Sequence, residues 1–153
     1  MFLGKDHHSL DSKDRLTVPS RFREGLSGKF YLTLGLDKNL LILTQDSFAA
    51  IYESLQGKSL TDVLARNLRR LLLSNACELE LDGAGRIIIP KTLREMVNIT
   101  NEAVLVGAGD YLEVWAPEEW QKQMQILQDE ANAERFATLE LVTRRGSSTS
   151  TLQ

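Results

Sequence analysis

The sequence predicts an α+β protein, mainly β with helices, in which two internal repeats form a pseudo-two-fold β-barrel flanked by α-helices. The motif DSKDRLTVPSRFRE at 11–24 recurs without a gap as DGAGRIIIPKTLRE at 82–95. In both copies, short β-branched and aliphatic segments alternate with turn-forming residues. A unit of about 45 residues buries too little apolar surface to fold alone. We therefore expect the two copies to pair.

Each repeat begins with the same predicted elements. An apolar residue and an Asp-led turn precede a short strand, 15–18 in the first copy and 86–89 in the second. Pro19 and Pro90 end these strands because proline cannot donate to a β-ladder. A short helix follows, and in the second copy Thr92 and Glu95 have the spacing of a capping box.

Each repeat then continues with a hairpin and a helix. The apolar segments predict strands at 30–34 and 40–43 in the first copy, and at 103–107 and 111–115 in the second. The closing helices start at Thr44 and at Pro117, residue types that favour helix N-termini.

A helical segment, about Leu60 to Ala76, joins the repeats. Its apolar residues form one stripe at i, i+3, i+4 spacing: Leu60, Val63, Leu64, Leu68, Leu71 and Leu72. Arg66, Arg69 and Arg70 lie off the stripe, either as a solvated basic face or as phosphate contacts. The predicted organisation is a first repeat at 5–48, a linking helical segment at 49–76, a second repeat at 77–120, a C-terminal helical segment at 121–145 and a flexible tail at 146–153.

Charge is distributed unevenly along the 153 residues. The net charge is −3, but residues 1–75 carry +3 and residues 76–153 carry −6. The total therefore does not exclude a nucleic-acid partner. One cysteine, no apolar run of membrane-spanning length and no signal-peptide pattern predict a soluble intracellular protein that does not contact a membrane.

The repeated Asp-x-x-x-Arg turn is the most informative motif. Arg15 and Arg86 each follow a tight turn, and the planar guanidinium matches the geometry of a phosphate or of guanine O6 and N7. The alternative is that each Asp and Arg form an ion pair that only stabilises the turn. Nearby basic side chains support a binding role for the first copy: Lys13, Arg21, Arg23 and Lys29.

Catalytic and metal-binding patterns are lacking in the sequence. His7 and His8 are the only histidines and do not form a zinc-ligand cluster with Cys77. Cys77 is better explained as a small buried apolar residue than as a nucleophile. We therefore expect no catalytic residue, no metal, no cofactor and no small-molecule substrate.

The motifs DSKDRLTVP and DGAGRIIIP, the start MFLG and the segment RRLLLSNACELELDGAGR resemble the bacterial MraZ family. That family is a tandem version of the SpoVT-AbrB swapped-hairpin domain, a double-split barrel. The resemblance extends from Met1 to about Val142. It implies a nucleoid-associated DNA-binding transcriptional regulator in the cytoplasm, which binds repeated elements of double-stranded DNA at the promoter of the division and cell-wall gene cluster. It also implies a ring-shaped homo-oligomer.

The resemblance also implies roles for individual residues. The leading DNA contacts are Arg15 and Arg86, followed by Lys13, whose counterpart is Ala84. Secondary candidates are Arg21, Arg23, Lys91 and Arg94. The residues expected to shape the motif are Asp11, Asp82, Gly83, Gly85, Pro19 and Pro90. Similar sequences usually have glycine where this chain has Asp14, so an extra negative charge is expected beside Arg15.

A second function remains compatible with the same fold. The acidic segment Pro117 to Glu134 suggests an oligomeric interaction protein, such as an antitoxin-like or scaffolding module, whose main partner is a protein. Replacing Arg15 and Arg86 by alanine distinguishes the two, since only the DNA-binding hypothesis predicts lost DNA binding with intact oligomers.

Overall fold

The two halves of the chain contain the same elements in the same order. The computed structural model describes residues 1–143. The first half comprises β1 (Lys5–Ser9), β2 (Arg15–Thr17), α1 (Ser20–Arg23), β3 (Lys29–Leu34), β4 (Leu40–Leu43) and α2 (Gln45–Gln56). After α3 (Val63–Ser74), the second half comprises β5 (Cys77–Glu80), β6 (Arg86–Ile88), α4 (Lys91–Met96), β7 (Glu102–Gly107), β8 (Tyr111–Trp115) and α5 (Pro117–Gln128), followed by α6 (Glu130–Ala137).

The strands form two antiparallel sheets that combine both repeats. The larger sheet has the order β1-β7-β8-β4-β3-β5, and β2 pairs with β6 in a separate two-stranded ribbon. The first strand of each half pairs with the other half: β1 with β7, and β5 with β3. The α+β class is confirmed. However, β1 and β5 are sheet edges, so the hydrogen-bonded ladder is open and the predicted barrel does not close.

The core contains residues from both halves. Leu16 of β2 and Ile87 of β6 are buried at the centre of the ribbon. They belong to one cluster with the inward side chains of the large sheet, which include Phe30, Leu32, Leu40, Ile42, Leu105, Leu112 and Val114. A shared core explains physically why the repeats occur together, since neither half contains the whole cluster.

Local signals identified some element ends and missed others. The predicted start of α2 at Thr44 is confirmed, because Thr44 Oγ1 accepts a hydrogen bond from Ser47 N at 3.1 Å. The predicted capping box of Thr92 and Glu95 is wrong. α4 begins two residues earlier, at Lys91, and has no side-chain cap, because Pro90 occupies the N-cap position.

The linking helix is shorter than predicted. It begins at Val63, because the Asp62 carboxylate accepts from Leu64 N at 2.9 Å and caps the first turn, which leaves Leu60 outside the helix. Arg69 is not a solvated side chain. Its guanidinium donates to the carbonyls of Leu55 and Lys58, and it thereby fixes the connection from α2 to α3.

The chain divides into two compact units. The first, Met1–Trp120, contains both sheets, and the second begins at Gln121 and contains α6. No helix among residues 1–143 is long and apolar enough to span a bilayer. The predicted tail at 146–153 lies outside the described residues.

Candidate nucleic-acid interface

The first Asp-led turn is held together by one carboxylate. Asp11 Oδ1 accepts hydrogen bonds from the backbone nitrogens of Lys13 and Arg15, both at 2.9 Å. Asp11 Oδ2 accepts from Arg15 Nε at 2.6 Å. Asp14 N closes the turn by donating to Asp11 O at 3.0 Å. The carboxylate therefore both shapes the backbone and orients the arginine.

The second turn repeats this geometry. Asp82 Oδ1 accepts from the backbone nitrogens of Ala84 and Arg86 at 2.9 Å, and Asp82 Oδ2 accepts from Arg86 Nε at 2.8 Å. Gly85 N donates to Asp82 O at 3.0 Å. Both interpretations of the motif therefore describe part of the geometry. The ion pair exists, and it engages only one nitrogen of each guanidinium.

These hydrogen bonds stabilise the charged form of both aspartates. The bond from Arg15 N is the main reason why the pKa of Asp11 lies below its usual 3.8, and the bond from Arg86 N lowers the pKa of Asp82 in the same way. A lowered pKa gives stability that is present above the unfolded value and is lost as the pH falls through the folded value. Both turns are therefore intact at neutral pH.

The two arginines project from the same face of the β2–β6 ribbon. The register pairs Arg15 with Ile88, Leu16 with Ile87 and Thr17 with Arg86. Since side chains alternate along a strand, the buried Leu16 and Ile87 leave the other four residues facing outward. We call Arg15, Thr17, Arg86 and Ile88 the outer ribbon face.

The arginines are partly exposed and keep free donors. Their side chains are 26% and 30% exposed for Arg15 and Arg86, respectively. Within residues 1–143, no hydrogen bond engages the terminal nitrogens of either guanidinium. Asp11 Oδ2 also lies 3.9 Å from Arg86 Nη1, so the first turn contacts both arginines. The result is a pair of pre-oriented guanidinium groups with donors available to an acceptor such as a base edge or a phosphate.

The position before each arginine differs between the turns. Both residues have left-handed backbone, with φ of 59° at Asp14 and 74° at Gly85. Glycine tolerates this φ without strain, and a Cβ atom on Gly85 would lie so close to Arg23 Nη1 that the exposed Arg23 side chain would have to move. The Asp14 carboxylate instead forms an ion pair with Arg94 at 3.0 Å. The extra charge that the sequence places beside Arg15 therefore has a cationic partner.

The secondary candidates have different environments. Arg94 is only 12% exposed, and its Nε donates to Ile89 O at 3.0 Å. Arg21 donates to Lys5 O at 2.7 Å and lies over the Phe22 ring. Like Arg21, the side chains of Lys13, Arg23 and Lys91 are exposed, and Lys91 Nζ lies 3.8 Å from Glu95 Oε1.

The remaining motif residues act on the backbone. Pro19 and Pro90 are the N-cap residues of α1 and α4, so the strands end before them as predicted. Gly83 has open space where a Cβ would lie. Its placement gives no packing reason for glycine, and the equivalent position in the first turn is Ser12.

Sequence reasoning missed two residues of the outer ribbon face. The sequence pattern indicates only that Thr17 and Ile88 are strand residues, yet both are exposed, and Ile88 retains 57% of its accessible surface. The strict alternation of β-strands could have identified them, because each lies two positions after an arginine that was assigned to the surface.

Other chemistry has little support in the described residues. No group of three His, Cys, Asp or Glu side chains within 1–143 could hold a metal ion. His7 lies 3.5 Å from Glu102, and His8 lies 2.6 Å from Asp6. Burial raises the pKa of the Cys77 thiol, which lowers the reactive thiolate fraction at neutral pH.

Comparisons with known proteins agree on one family. The family model for the MraZ protein, described as antitoxin-like, matches the chain twice, at residues 1–71 and 72–142. The transcriptional regulator MraZ of Thermomicrobium roseum is 40% identical over 141 residues, which cover 91% of this chain and 99% of that protein. The protein of the same name from Herpetosiphon aurantiacus is 41% identical over 133 residues, which cover 87% of this chain and 93% of that protein. The chain, with its paired Asp-led turns, therefore belongs to the MraZ family.

Proposed function

We propose that this chain is a sequence-specific DNA-binding transcriptional regulator whose outer ribbon face contacts the major groove. The observation that carries the proposal is the pair of Asp-held arginines on one face of a two-stranded ribbon. The major groove, about 12 Å wide, admits a two-stranded ribbon, and its guanine edge offers two acceptors to an arginine. The relatives named as transcriptional regulators support this function.

The proposed targets are repeated elements in the promoter of the division and cell-wall gene cluster, as the family resemblance implies. The protein would then act in the cytoplasm, associated with the nucleoid. The exchange of β1 and β5 between the halves supports the family's swapped-hairpin arrangement for this chain.

We also propose that several copies assemble into a ring. The N-terminal part of the α3 stripe supports this, because Val63 and Leu64 are 56% and 77% exposed, with Leu60 exposed beside them. Exposed apolar side chains so close together in the sequence favour association, and we assign them to contact with a second copy of the chain. Linked copies would raise DNA affinity by effective concentration, since one small basic patch binds weakly at physiological salt.

The test is a double substitution, Arg15→Ala with Arg86→Ala, in the full chain. Sites are first selected from a random duplex library, and affinity is then measured by gel shift. Each guanine contact is worth about 1–3 kcal/mol, so we expect the affinity to fall by about 30-fold or more. Lys38→Ala with Lys58→Ala is the matched control, since it removes two exposed positive charges that belong neither to the ribbon nor to its Asp-led turns.

Two outcomes would count against the proposal. Unchanged DNA affinity of the double variant would contradict the arginine contacts. Equal affinity for DNA with one, two and three copies of the selected element would contradict multivalent binding by a ring. Light scattering on the same samples checks that the double variant retains its oligomeric state, so that lost binding is not lost assembly.

An antitoxin-like or scaffolding role is the second candidate, favoured by the family description and by the acidic first turn of α5, where Glu118 and Glu119 lie. It predicts a protein partner that binds the double variant as tightly as the unchanged chain.

A further inference from the structure

The outer ribbon face contains two residues besides the arginines, and their pairing is fixed by the ladder. Val18 N donates to Gly85 O at 2.9 Å, so positions 18 and 85 form a hydrogen-bonded pair. Hydrogen-bonded and non-hydrogen-bonded pairs alternate along an antiparallel ladder. Arg15 with Ile88 and Thr17 with Arg86 are therefore non-hydrogen-bonded pairs, in which the side chains lie closest together.

Each arginine thus has one cross-strand neighbour, and the two neighbours differ. Arg15 lies opposite an isoleucine, whereas Arg86 lies opposite a threonine. The Cβ atoms in such a pair are about 4.5–5.5 Å apart, which is more than the rise of about 3.4 Å across one base-pair step but less than the rise across two. A side chain opposite an arginine would therefore reach the same base pair as that arginine or the adjacent one.

The chemistry of the neighbours determines what they could recognise. Ile88 has no polar atom and is the one aliphatic side chain on the outer ribbon face. In the major groove, the thymine 5-methyl is the apolar group that such a side chain can contact. Thr17 has one methyl group and a hydroxyl that both donates and accepts, so it presents less apolar surface than Ile88 and discriminates less between bases.

We propose that Ile88 is a specificity-determining residue that selects a thymine within one base pair of the guanine bound by Arg15, and that Thr17 selects the base at the corresponding position beside Arg86 less strongly. The two halves of the ribbon would then read different base steps, although their turns are alike. The inference rests on the proposed DNA binding. It goes further by naming Ile88 as the residue that makes base selection differ between the two halves of the ribbon.

The repeat supplies a matched pair of substitutions. Ile88→Thr gives both arginines a threonine neighbour, and Thr17→Ile gives both an isoleucine. Both residues are exposed and β-branched, so neither change alters the core or the preference for a strand. Sites are selected from a random duplex library with the full chain and with each variant. Every thymine in each selected site is then replaced singly by uracil, which removes only the 5-methyl group.

We expect the unchanged chain to bind about fourfold more weakly when uracil replaces the thymine beside one guanine, which is the contribution of one buried methyl-sized group. Ile88→Thr should bind DNA with a smaller sensitivity to uracil at this position, because threonine presents one methyl group where isoleucine presents a wholly aliphatic side chain. Thr17→Ile should acquire the same sensitivity at a second position.

Equal uracil sensitivity in the unchanged chain and Ile88→Thr would overturn the role of Ile88 while leaving DNA binding intact. Failure of the unchanged chain to select any site, or full affinity of the variant that lacks Arg15 and Arg86, would overturn the proposed function itself and this inference with it. The arginine variant therefore separates the two failures.

Discussion

The turn before β2 and the turn before β6 have the same hydrogen bonds but different supports. In both, an aspartate accepts two backbone bonds and one from the following arginine. The left-handed position is Asp14 in one turn and Gly85 in the other. Asp14 pairs with Arg94, and Gly85 leaves room for Arg23, the counterpart of Arg94 in the first repeat. The two turns thus share one backbone geometry. In the first turn the left-handed residue is an aspartate that forms an ion pair, and in the second turn it is a glycine without a side chain.

This difference shows that the sequences of the two repeats can diverge at the left-handed position when the environment of the nearby arginine differs as well. An acidic residue at the left-handed position is compatible with the fold when an arginine lies within reach and no side chain occupies its space. Neither repeat contains the whole arrangement, because each turn is completed by an arginine of the other half: Arg94 for the first turn and Arg23 for the second. The supports of the two turns are therefore not interchangeable.

The largest effect is expected when the first turn's residue is placed in the second. Gly85→Asp puts a Cβ 2.2 Å from Arg23 Nη1 and 2.8 Å from Arg23 Cδ, and it gives a non-glycine residue a positive φ. We expect the free energy of unfolding to fall by about 1–3 kcal/mol. Chemical denaturation at a fixed protein concentration measures the stability.

The reverse substitution is the control for this prediction. Asp14→Gly removes the ion pair with Arg94, which lowers stability, and it places glycine at a positive φ, which raises stability. Its stability should change by less than about 1 kcal/mol. If Gly85→Asp and Asp14→Gly lower the free energy of unfolding equally, residues 14 and 85 contribute equally to their turns, and the proposed difference between the turns is wrong.

The two supporting arginines provide the second prediction. Arg94→Ala removes a nearly buried side chain that donates to Ile89 O and pairs with Asp14, so we expect the free energy of unfolding to fall by about 1–3 kcal/mol. The equivalent change, Arg23→Ala, removes an exposed side chain and should cost no more than about 0.5 kcal/mol. Thermal and chemical unfolding of both variants at the same concentration test the difference.

Arg94→Ala should also weaken DNA binding, although Arg94 is mostly buried. Without its partner, the Asp14 carboxylate is an uncompensated charge beside Arg15. The double variant with Asp14→Gly should recover that part of the affinity. A double variant that binds DNA as weakly as Arg94→Ala would show that the weaker binding does not arise from Asp14.

The sequence was sufficient to predict the repeat, the class and the turns, because these depend on local chemistry. Asp11 with Arg15 and Asp82 with Arg86 are four residues apart, so one turn brings each pair together. The β-branched residues after each arginine and the following proline defined the strands and their ends. Leu16 and Ile87 were apolar in both copies and are central to the core.

The remaining features depend on residues far apart in the chain. The ion pair between Asp14 and Arg94 joins positions in different repeats, and its register follows from the pairing of β2 with β6. The open sheet depends on which strands pair, and no short motif encodes that choice. The placement of Ile88 opposite Arg15 likewise joins residues of different repeats. Sequence separation, rather than unusual chemistry, limited what could be predicted.

The smallest effect concerns the charge that only the first turn has. Lys13 is exposed, and its counterpart in the second turn is Ala84, also exposed. If Lys13 binds a phosphate, it contributes to affinity for any DNA sequence. We therefore expect Lys13→Ala to reduce the slope of log affinity against log salt concentration by about 1, with no change in the selected site. Ala84→Lys should increase the slope in the same way, because the turns share one backbone geometry. A Lys13→Ala variant with an unchanged slope would show that the first turn has no electrostatic advantage, and that the two turns differ only in their supports.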